Sequence, residues 1–175
     1  MVTVADLLVG ELRRRGVHAV YTLVGNGLEP LLAAALKAGL KVIGTRNEQA
    51  AGYMADAAGR LTRRVAVAAA STGVAHVNAL TGLCNAWFDG SPMLLITSAS
   101  DSTREGRGCF QDMDTSGLSR PLCKLARRVN RPEAALSTLR EALETALAGR
   151  PGPVQLTIPM DVLRAEASPD AAPPP

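Results

Sequence analysis

The chain has 175 residues, enough for one domain with a full hydrophobic core. Its net charge of +3 invites a nucleic-acid interpretation, but aromatic residues make up only 3% of the chain and the arginine clusters fall at predicted element boundaries. No apolar run reaches the roughly 18 residues of a membrane-spanning helix. We therefore expect a protein that binds neither nucleic acid nor membrane.

The cysteines and the N-terminus bear on cellular location. Cys84, Cys109 and Cys123 follow neither a metal-binding nor a redox spacing, so we expect reduced thiols, with Cys84 in the core. The N-terminal segment has the pattern of a capped amphipathic helix and lacks the layout of a signal peptide. Both observations predict a cytoplasmic protein.

Helix-like and strand-like patterns alternate along the chain. In chain order they predict a helix over residues 3–16 capped by Thr3, a strand over 19–24, a helix over 28–38, a strand at 42–43, a helix over 46–61 and a strand over 65–70. A helix over 74–88, a strand over 92–98 and a loop over 100–120 with a turn of helix near Asp114 follow. The last elements are a strand over 123–129, a helix over 132–147 and a strand over 154–158.

Apolar strands separated by helices are typical of a parallel sheet covered on both faces. The fold class is therefore α/β, a three-layer α/β/α domain with a central, mostly parallel sheet of about six strands. We assign this domain to residues 1–163 and expect the Ala/Pro-rich residues 164–175 to be a disordered tail.

Ligands of open α/β sheets bind beyond the carboxyl ends of the strands. Three predicted loops at that edge look suited to a ligand: Val24-Gly25-Asn26-Gly27, Ser71-Thr72-Gly73 and the long loop after Ser98. Taken singly, the glycines could serve only tight turns. Together with the acid described next, the three loops favour a site.

Glu48 is an acid on a face of small residues. In a helix it shares a stripe with Ala51, Gly52, Ala55 and Gly59, a face narrow enough for another backbone to approach closely. Burial favours the neutral form of a carboxyl group, which can donate a hydrogen bond. The residues alone leave two interpretations open: a catalytic acid, or a carboxylate at a helix start favoured by the helix dipole.

Other common site motifs are absent from the sequence. No Gly-x-Gly-x-x-Gly follows the first strand, no phosphate-binding loop motif occurs, and Ser71 lacks the context of a nucleophile elbow. His18 and His76 belong to no ligand cluster, so we predict no metal site on this chain. His18 is expected at the surface, whereas His76 follows Gly73 closely and is assigned to the substrate side of the cleft.

Several short motifs, taken in their order and spacing, resemble one family. They are Arg46-Asn47-Glu48-Gln49-Ala50-Ala51, Gly73 with Asn78, Asp89-Gly90-Ser91-Pro92-Met93, Phe110-Gln111-Asp112 and Gly149-Arg150-Pro151-Gly152-Pro153. The chain resembles the pyrimidine-binding (PYR) domain of thiamine diphosphate enzymes of the acetolactate synthase, benzoylformate decarboxylase and oxalyl-CoA decarboxylase group. The resemblance covers about residues 2–163.

The resemblance implies roles for particular residues. The matching glutamate of the family, here Glu48, hydrogen-bonds N1′ of the cofactor aminopyrimidine and so promotes loss of the thiazolium C2 proton. It also implies cofactor contacts from Val24, Gly25, Asn26, Gly73 and Asn78, and a substrate side formed by Phe110 and Gln111.

The chain departs from the family pattern at two places. Asn47 stands where many relatives have His, which removes an acid/base group. Gly73-Val74-Ala75-His76-Val77-Asn78 replaces the usual Gly-Pro-Gly-x-x-Asn. Both departures bear on the type of reaction more than on the cofactor.

The motif that holds the cofactor diphosphate through Mg²⁺ in this family, Gly-Asp-Gly with a downstream Asn, is missing here. The resemblance therefore implies a split enzyme, in which a separately encoded diphosphate-binding (PP-domain) subunit supplies the Mg²⁺ site, with two copies of each subunit. Its reaction would be decarboxylation or carboligation of a 2-oxo acid or related acyl donor. Two alternatives stay open: a non-catalytic PYR-like regulatory or scaffold subunit, and an excised N-terminal domain of a longer acetolactate synthase-like enzyme.

Overall fold

A computed structural model describes residues 1–167 of the chain. Its sheet has six strands, and every neighbouring pair is parallel, which confirms the predicted α/β class. Their order across the sheet is β2-β1-β3-β4-β6-β5. The strands are β1 (Ala19–Thr22), β2 (Lys41–Gly44), β3 (Ala66–Ala70), β4 (Met93–Ala99), β5 (Leu125–Arg128) and β6 (Pro153–Pro159).

Helices cover both faces of this sheet and complete the three layers. They are α1 (Val4–Arg14), α2 (Glu29–Lys37), α3 (Glu48–Thr62), α4 (Val74–Asp89), α5 (Thr115–Ser119), α6 (Pro132–Leu147) and α7 (Met160–Arg164). Alternate residues of each strand face opposite layers. On β4, Leu94 and Ile96 pack in the core with α1, α2 and α6, whereas Met93 and Leu95 pack in the core with α3 and α4.

The predicted helix and strand types are correct, and the differences lie at their ends. Helix α3 begins at Glu48 rather than at residue 46, because the Asn47 side chain accepts a hydrogen bond from the Gln49 N–H and caps the helix. Thr3 and Asp6 form a reciprocal capping box at α1, as predicted. Strand β1 ends at Thr22, so Val24 lies in the following loop.

The chain end departs from the expected tail. Helix α7, which the sequence pattern did not predict, spans the expected boundary at residue 163. Beyond it, the Ala167 N–H donates to the Val2 carbonyl, and Thr3 and Glu166 form an antiparallel bridge. The first residues of the predicted tail are therefore part of the fold, and residues 168–175 lie outside the described part.

Two smaller expectations can be compared with the structure. All three cysteines are free, although Cys84 is only half-buried rather than part of the core. Within the described residues, no helix combines the length and apolar character that a membrane crossing requires.

Candidate active site

Three loops predicted to form a site meet at the carboxyl edge of the sheet. The main-chain carbonyl of Asn26 accepts hydrogen bonds from the Ser71 hydroxyl at 2.9 Å and from the Ser98 hydroxyl at 2.7 Å. Ser71 follows β3 and Ser98 lies near the end of β4, so one carbonyl joins the ends of β1, β3 and β4. In the sheet, β1 lies between β2 and β3, so successive strands are added on opposite sides of it. The loop after β1 therefore lies at the switch point where open α/β sheets bind ligands.

Glycine is required for this meeting of loops. A Cβ on Gly25 would lie 2.7 Å from the Ser71 Cβ, and one on Gly27 would lie 3.0 Å from the Ser98 Cβ. Gly27 also has a φ of +83°, a conformation that glycine adopts without strain. The glycines thus have a packing role in the cleft, while the neighbouring Val24 is 63% exposed and its side chain is available to a ligand.

Glu48 lies at the first position of α3 and is only 8% exposed. The Asn78 side-chain amide, on the second turn of α4, donates to Glu48 Oε2 at 3.0 Å. Among the described residues, this is the hydrogen bond that holds the Glu48 side chain, and it leaves Oε1 for a ligand. Glu48 and Asn78, both predicted as cofactor contacts, are therefore hydrogen-bonded to one another.

The predicted small-residue stripe is buried. Ala51, Gly52, Ala55 and Gly59 all lie in the interior together with Glu48. Gly52 packs against the backbone of Gly82 on α4, which allows the two helices to approach closely. Asp56, one helical turn after Gly52, accepts a hydrogen bond from Asn85 at 2.5 Å and forms a second acid–amide pair along the same seam. The spacing of Asp56 from Glu48 and of Asn85 from Asn78 could have indicated this pair from the sequence.

Gln111, which was predicted on the substrate side with Phe110, packs against the start of α4. Gly73, the N-cap of α4, has a φ of +63°, and a Cβ there would lie 2.7 Å from the Gln111 Cγ. The Thr72 hydroxyl donates to the Gln111 carbonyl at 3.2 Å, and Phe110 is 72% exposed. An apolar recess of about 290 Å³ opens here, lined by Gly73, Val74, Val77, Gln111, Asp112 and Met113.

His76 does not face this recess, so its assignment to the substrate side is corrected. Its side chain is fully buried and is hydrogen-bonded to the hydroxyls of Thr97 and Ser119. Burial lowers the pKa of His76 to about 4, although a hydrogen bond with the Thr115 backbone acts in the opposite direction. A neutral, enclosed imidazole cannot contact a substrate at the surface. His18, in contrast, is exposed as predicted.

The donor set fits one half of thiamine diphosphate. An aminopyrimidine presents a ring nitrogen that a buried carboxyl group can bond, and Glu48 is held in place for such a contact by Asn78. No cluster of three metal-binding His, Cys, Asp or Glu side chains occurs within residues 1–167. The pair of Glu48 and Asn78 thus has the chemistry to hold an aminopyrimidine.

A family profile and several known proteins match this chain. The profile described as "Thiamine pyrophosphate enzyme, N-terminal TPP binding domain" matches residues 2–118, thiamine pyrophosphate (TPP) being another name for thiamine diphosphate. The chain is 40% identical over 158 residues to 2-hydroxyacyl-CoA lyase 2 of Caenorhabditis elegans, which covers 90% of this chain and 25% of that protein. It is 43% identical over 152 residues to 2-hydroxyacyl-CoA lyase 2 of Mus musculus, covering 87% and 24%.

A decarboxylase is also among the relatives. Oxalyl-CoA decarboxylase of Escherichia coli (strain K12) is 33% identical over 168 residues, which is 95% of this chain and 30% of that protein. The chain therefore spans between 24% and 30% of the length of these relatives. The family match covers well over half of the chain, and with it the chain belongs to the thiamine pyrophosphate enzymes, whose N-terminal TPP-binding domain it contains.

Proposed function

We propose that this chain is the pyrimidine-binding part of a thiamine diphosphate-dependent lyase or decarboxylase and that Glu48 is its catalytic acid. The observation that carries the proposal is the pair formed by Glu48 and Asn78. In this pair, a nearly buried carboxyl group has one oxygen hydrogen-bonded to an amide. It lies at the edge of the sheet where three loops meet. An acid with only a structural role at a helix start has no need of this support.

Each residue has a defined task in the proposal. Asn78 fixes Oε2 of Glu48. Glu48 would hold the aminopyrimidine through Oε1, where it would share a proton with N1′. Val24, Gly25 and Asn26 form the neighbouring wall, and Gly73 provides a close approach at the start of α4. When bound, thiamine diphosphate supplies the electron sink for the carbanion released as a carbon–carbon bond beside a carbonyl breaks.

The names of the relatives favour a particular class of acyl donor. They are a 2-hydroxyacyl-CoA lyase and an oxalyl-CoA decarboxylase. We therefore place CoA thioesters first among candidate substrates and keep free 2-oxo acids as the second class. Carboligation belongs to the same proposal, because it forms the type of bond that a lyase cleaves.

The diphosphate site belongs to a partner in this proposal. The sequence lacks Gly-Asp-Gly with its downstream Asn. A separately encoded PP-domain subunit would bring Mg²⁺, with two copies of each chain in a cytoplasmic complex. The same observations fit a sequence that is one domain of a longer enzyme, in which case the PP domain follows on the same polypeptide.

The test is a comparison of variants in the assembled enzyme. A tagged copy of this chain is purified from its source with its natural partner, and the partner is sequenced for Gly-Asp-Gly and the downstream Asn. With Mg²⁺ and thiamine diphosphate added, carbon–carbon cleavage of 2-hydroxyacyl-CoA, oxalyl-CoA and 2-oxo acids is measured. Exchange of the cofactor C2 hydrogen with deuterium is followed by NMR in the same samples.

We expect Glu48→Gln to retain assembly but to lose at least about a hundredfold in both C2 exchange and turnover, the scale of one acid/base group. Glu29→Gln is the matched control, because Glu29 is also an acid in the first turn of a helix but is exposed. A Glu48→Gln enzyme as active as the control would refute the catalytic assignment. Such a result would favour the regulatory or scaffold alternative.

A further inference from the structure

A buried network of hydroxyl groups surrounds His76. Its Nδ1 lies 2.9 Å from Thr97 Oγ1 on β4, and its Nε2 lies 3.1 Å from Ser119 Oγ on α5. A neutral imidazole has one donor and one acceptor nitrogen, and the two hydroxyls can rotate to match either tautomer. His76 therefore connects the first turn of α4 to both the sheet and α5.

The other end of α5 is fixed by a second set of hydroxyls. Thr157 Oγ1 on β6 lies 2.7 Å from Thr115 Oγ1 and 3.1 Å from Ser116 Oγ, and it accepts a hydrogen bond from Gln155 at 2.8 Å. Thr157 is the register partner of Thr97 on β4, so the two sets lie side by side. A helix of five residues is too short to be stable alone, so these bonds determine where α5 lies.

Residues 100–114, between β4 and α5, form the substrate loop, which carries Phe110 and Gln111. Helix α5 follows this loop directly. That loop begins beyond β4, where the main-chain N–H and hydroxyl of Ser102 bond the Asp161 carboxylate. Its middle rests on Gly73, against which Gln111 packs with a positive φ of 57°. A non-glycine residue keeps such a φ only when its surroundings enforce it.

We propose that His76 is a positioning residue for the substrate loop, acting through Ser119 and α5 on Phe110 and Gln111. The expected effect of His76 on catalysis rests on the proposed function, whereas its expected effect on the position of the loop does not. His76 and Gly73 lie on the same turn of the chain at the start of α4. One short segment thus supports the loop twice, by packing at Gly73 and by hydrogen bonding at His76.

The structural test measures the mobility of the loop in the assembled enzyme. Hydrogen exchange of the segment 104–113 and trypsin cleavage at the exposed Arg104 and Arg107 report on it directly. Ser119→Ala removes the contact between His76 and α5, and we expect exchange and cleavage of the loop to become about tenfold faster. Ser137→Ala is the matched control, since it removes a hydroxyl on the exposed side of α6.

Replacing His76 itself gives a second measurement. Glutamine can place its amide near the position of Nε2, whereas asparagine reaches only the position of Nδ1. We expect His76→Gln to keep the loop closer to wild-type exchange than His76→Asn does. Equal loop exchange in wild type and Ser119→Ala would overturn the inference, as would faster exchange spread uniformly over α6 and the sheet.

The kinetic test separates positioning from cofactor activation. In Ser119→Ala we expect a KM for the acyl donor several times higher, with C2 exchange of the cofactor unchanged. A reduced C2 exchange with an unaltered KM would contradict the positioning role. Should Glu48→Gln remain fully active, the proposed function fails, while the loop measurements still decide the role of His76.

Discussion

Gly52 of α3 and Gly82 of α4 meet backbone to backbone. A Cβ on Gly52 would lie 3.0 Å from the Gly82 Cα, and one on Gly82 would lie 2.6 Å from the Gly52 carbonyl carbon. The contact lies one helical turn from the pair of Glu48 and Asn78. Because both helices start at the carboxyl edge of the sheet, the closeness of their crossing sets how well Asn78 reaches Glu48.

Adding one methyl group at this crossing tests the relationship. We expect Gly82→Ala to lower the free energy of unfolding by about 2–3 kcal/mol, because the new Cβ meets backbone atoms that cannot rotate away. Separation of the helices would also lengthen the bond between Asn78 and Glu48. Urea denaturation gives the stability, and C2 exchange of thiamine diphosphate in the assembled enzyme gives the effect on Glu48.

Gly10→Ala is the control for this substitution. Gly10 lies inside α1, and a Cβ there meets nothing within 4 Å. Alanine at an open helical position stabilises by about 0.5–1 kcal/mol relative to glycine. If Gly82→Ala also stabilised the protein, the close approach of α3 and α4 would not limit the size of the residue at position 82.

The burial of Glu48 was predictable from the sequence, because helical spacing of Gly and Ala directly defines a face. The fold class was predictable for a similar reason, since apolar strands such as Ala66–Ala70 alternate with helices. Helix α6 even begins at Pro132 and ends at Leu147 as predicted. These features depend on local periodicity, which the sequence carries explicitly.

The environment of His76 was not predictable in this way. It depends on Thr97 and Ser119, which lie 21 and 43 residues away in the chain. Their proximity follows from the sheet order and from the path of the loop after β4, and neither leaves a periodic signal. The link from Asn26 to Ser71 and Ser98 was missed for the same reason, although all three loops had been identified.

The buried imidazole makes stability depend on pH. The pKa of His76 is lowered from an ordinary 6.5 to about 4 by burial, so the unfolded chain binds a proton more readily than the folded one. The contribution of neutral His76 to the free energy of unfolding is therefore complete above about pH 6.5, and it is lost as the pH falls toward 4. Its full size is on the order of 3 kcal/mol.

A variant without the imidazole isolates this contribution. We expect His76→Gln to lose less stability than wild type between pH 7 and pH 4.5, as measured by urea denaturation at each pH. NMR titration of the imidazole gives the folded pKa independently. Parallel stability curves for wild type and His76→Gln over this range would contradict the assignment of the pH dependence to His76.

A cluster of charges at Glu11 predicts a second, more acidic transition. The Glu11 side chain is 3% exposed and is paired with Arg14, with Arg15 at 3.0 Å and with Arg140 of α6 at 3.4 Å. Burial raises the pKa of Glu11, but the hydrogen bond from Arg15 and the charges of Arg14 and Arg140 outweigh it, so the net shift is downward. This stability is present above the ordinary carboxyl pKa of 4.5 and is lost as the pH falls through the lowered value.

We expect Glu11→Gln to cost about 1–3 kcal/mol at pH 7, because it leaves the guanidinium groups together without their shared carboxylate, and their partial exposure limits the loss. The difference from wild type should shrink as the pH falls from 4.5 through the lowered pKa of Glu11, below which this group is protonated in both the folded and the unfolded state. Glu144→Gln is the control, since Glu144 is 65% exposed and, within residues 1–167, pairs with Arg15 alone at 3.2 Å. Its expected cost is below about 1 kcal/mol. Equal costs for the two variants at pH 7 would mean that the buried carboxylate of Glu11 contributes no more to stability than the exposed ion pair of Glu144.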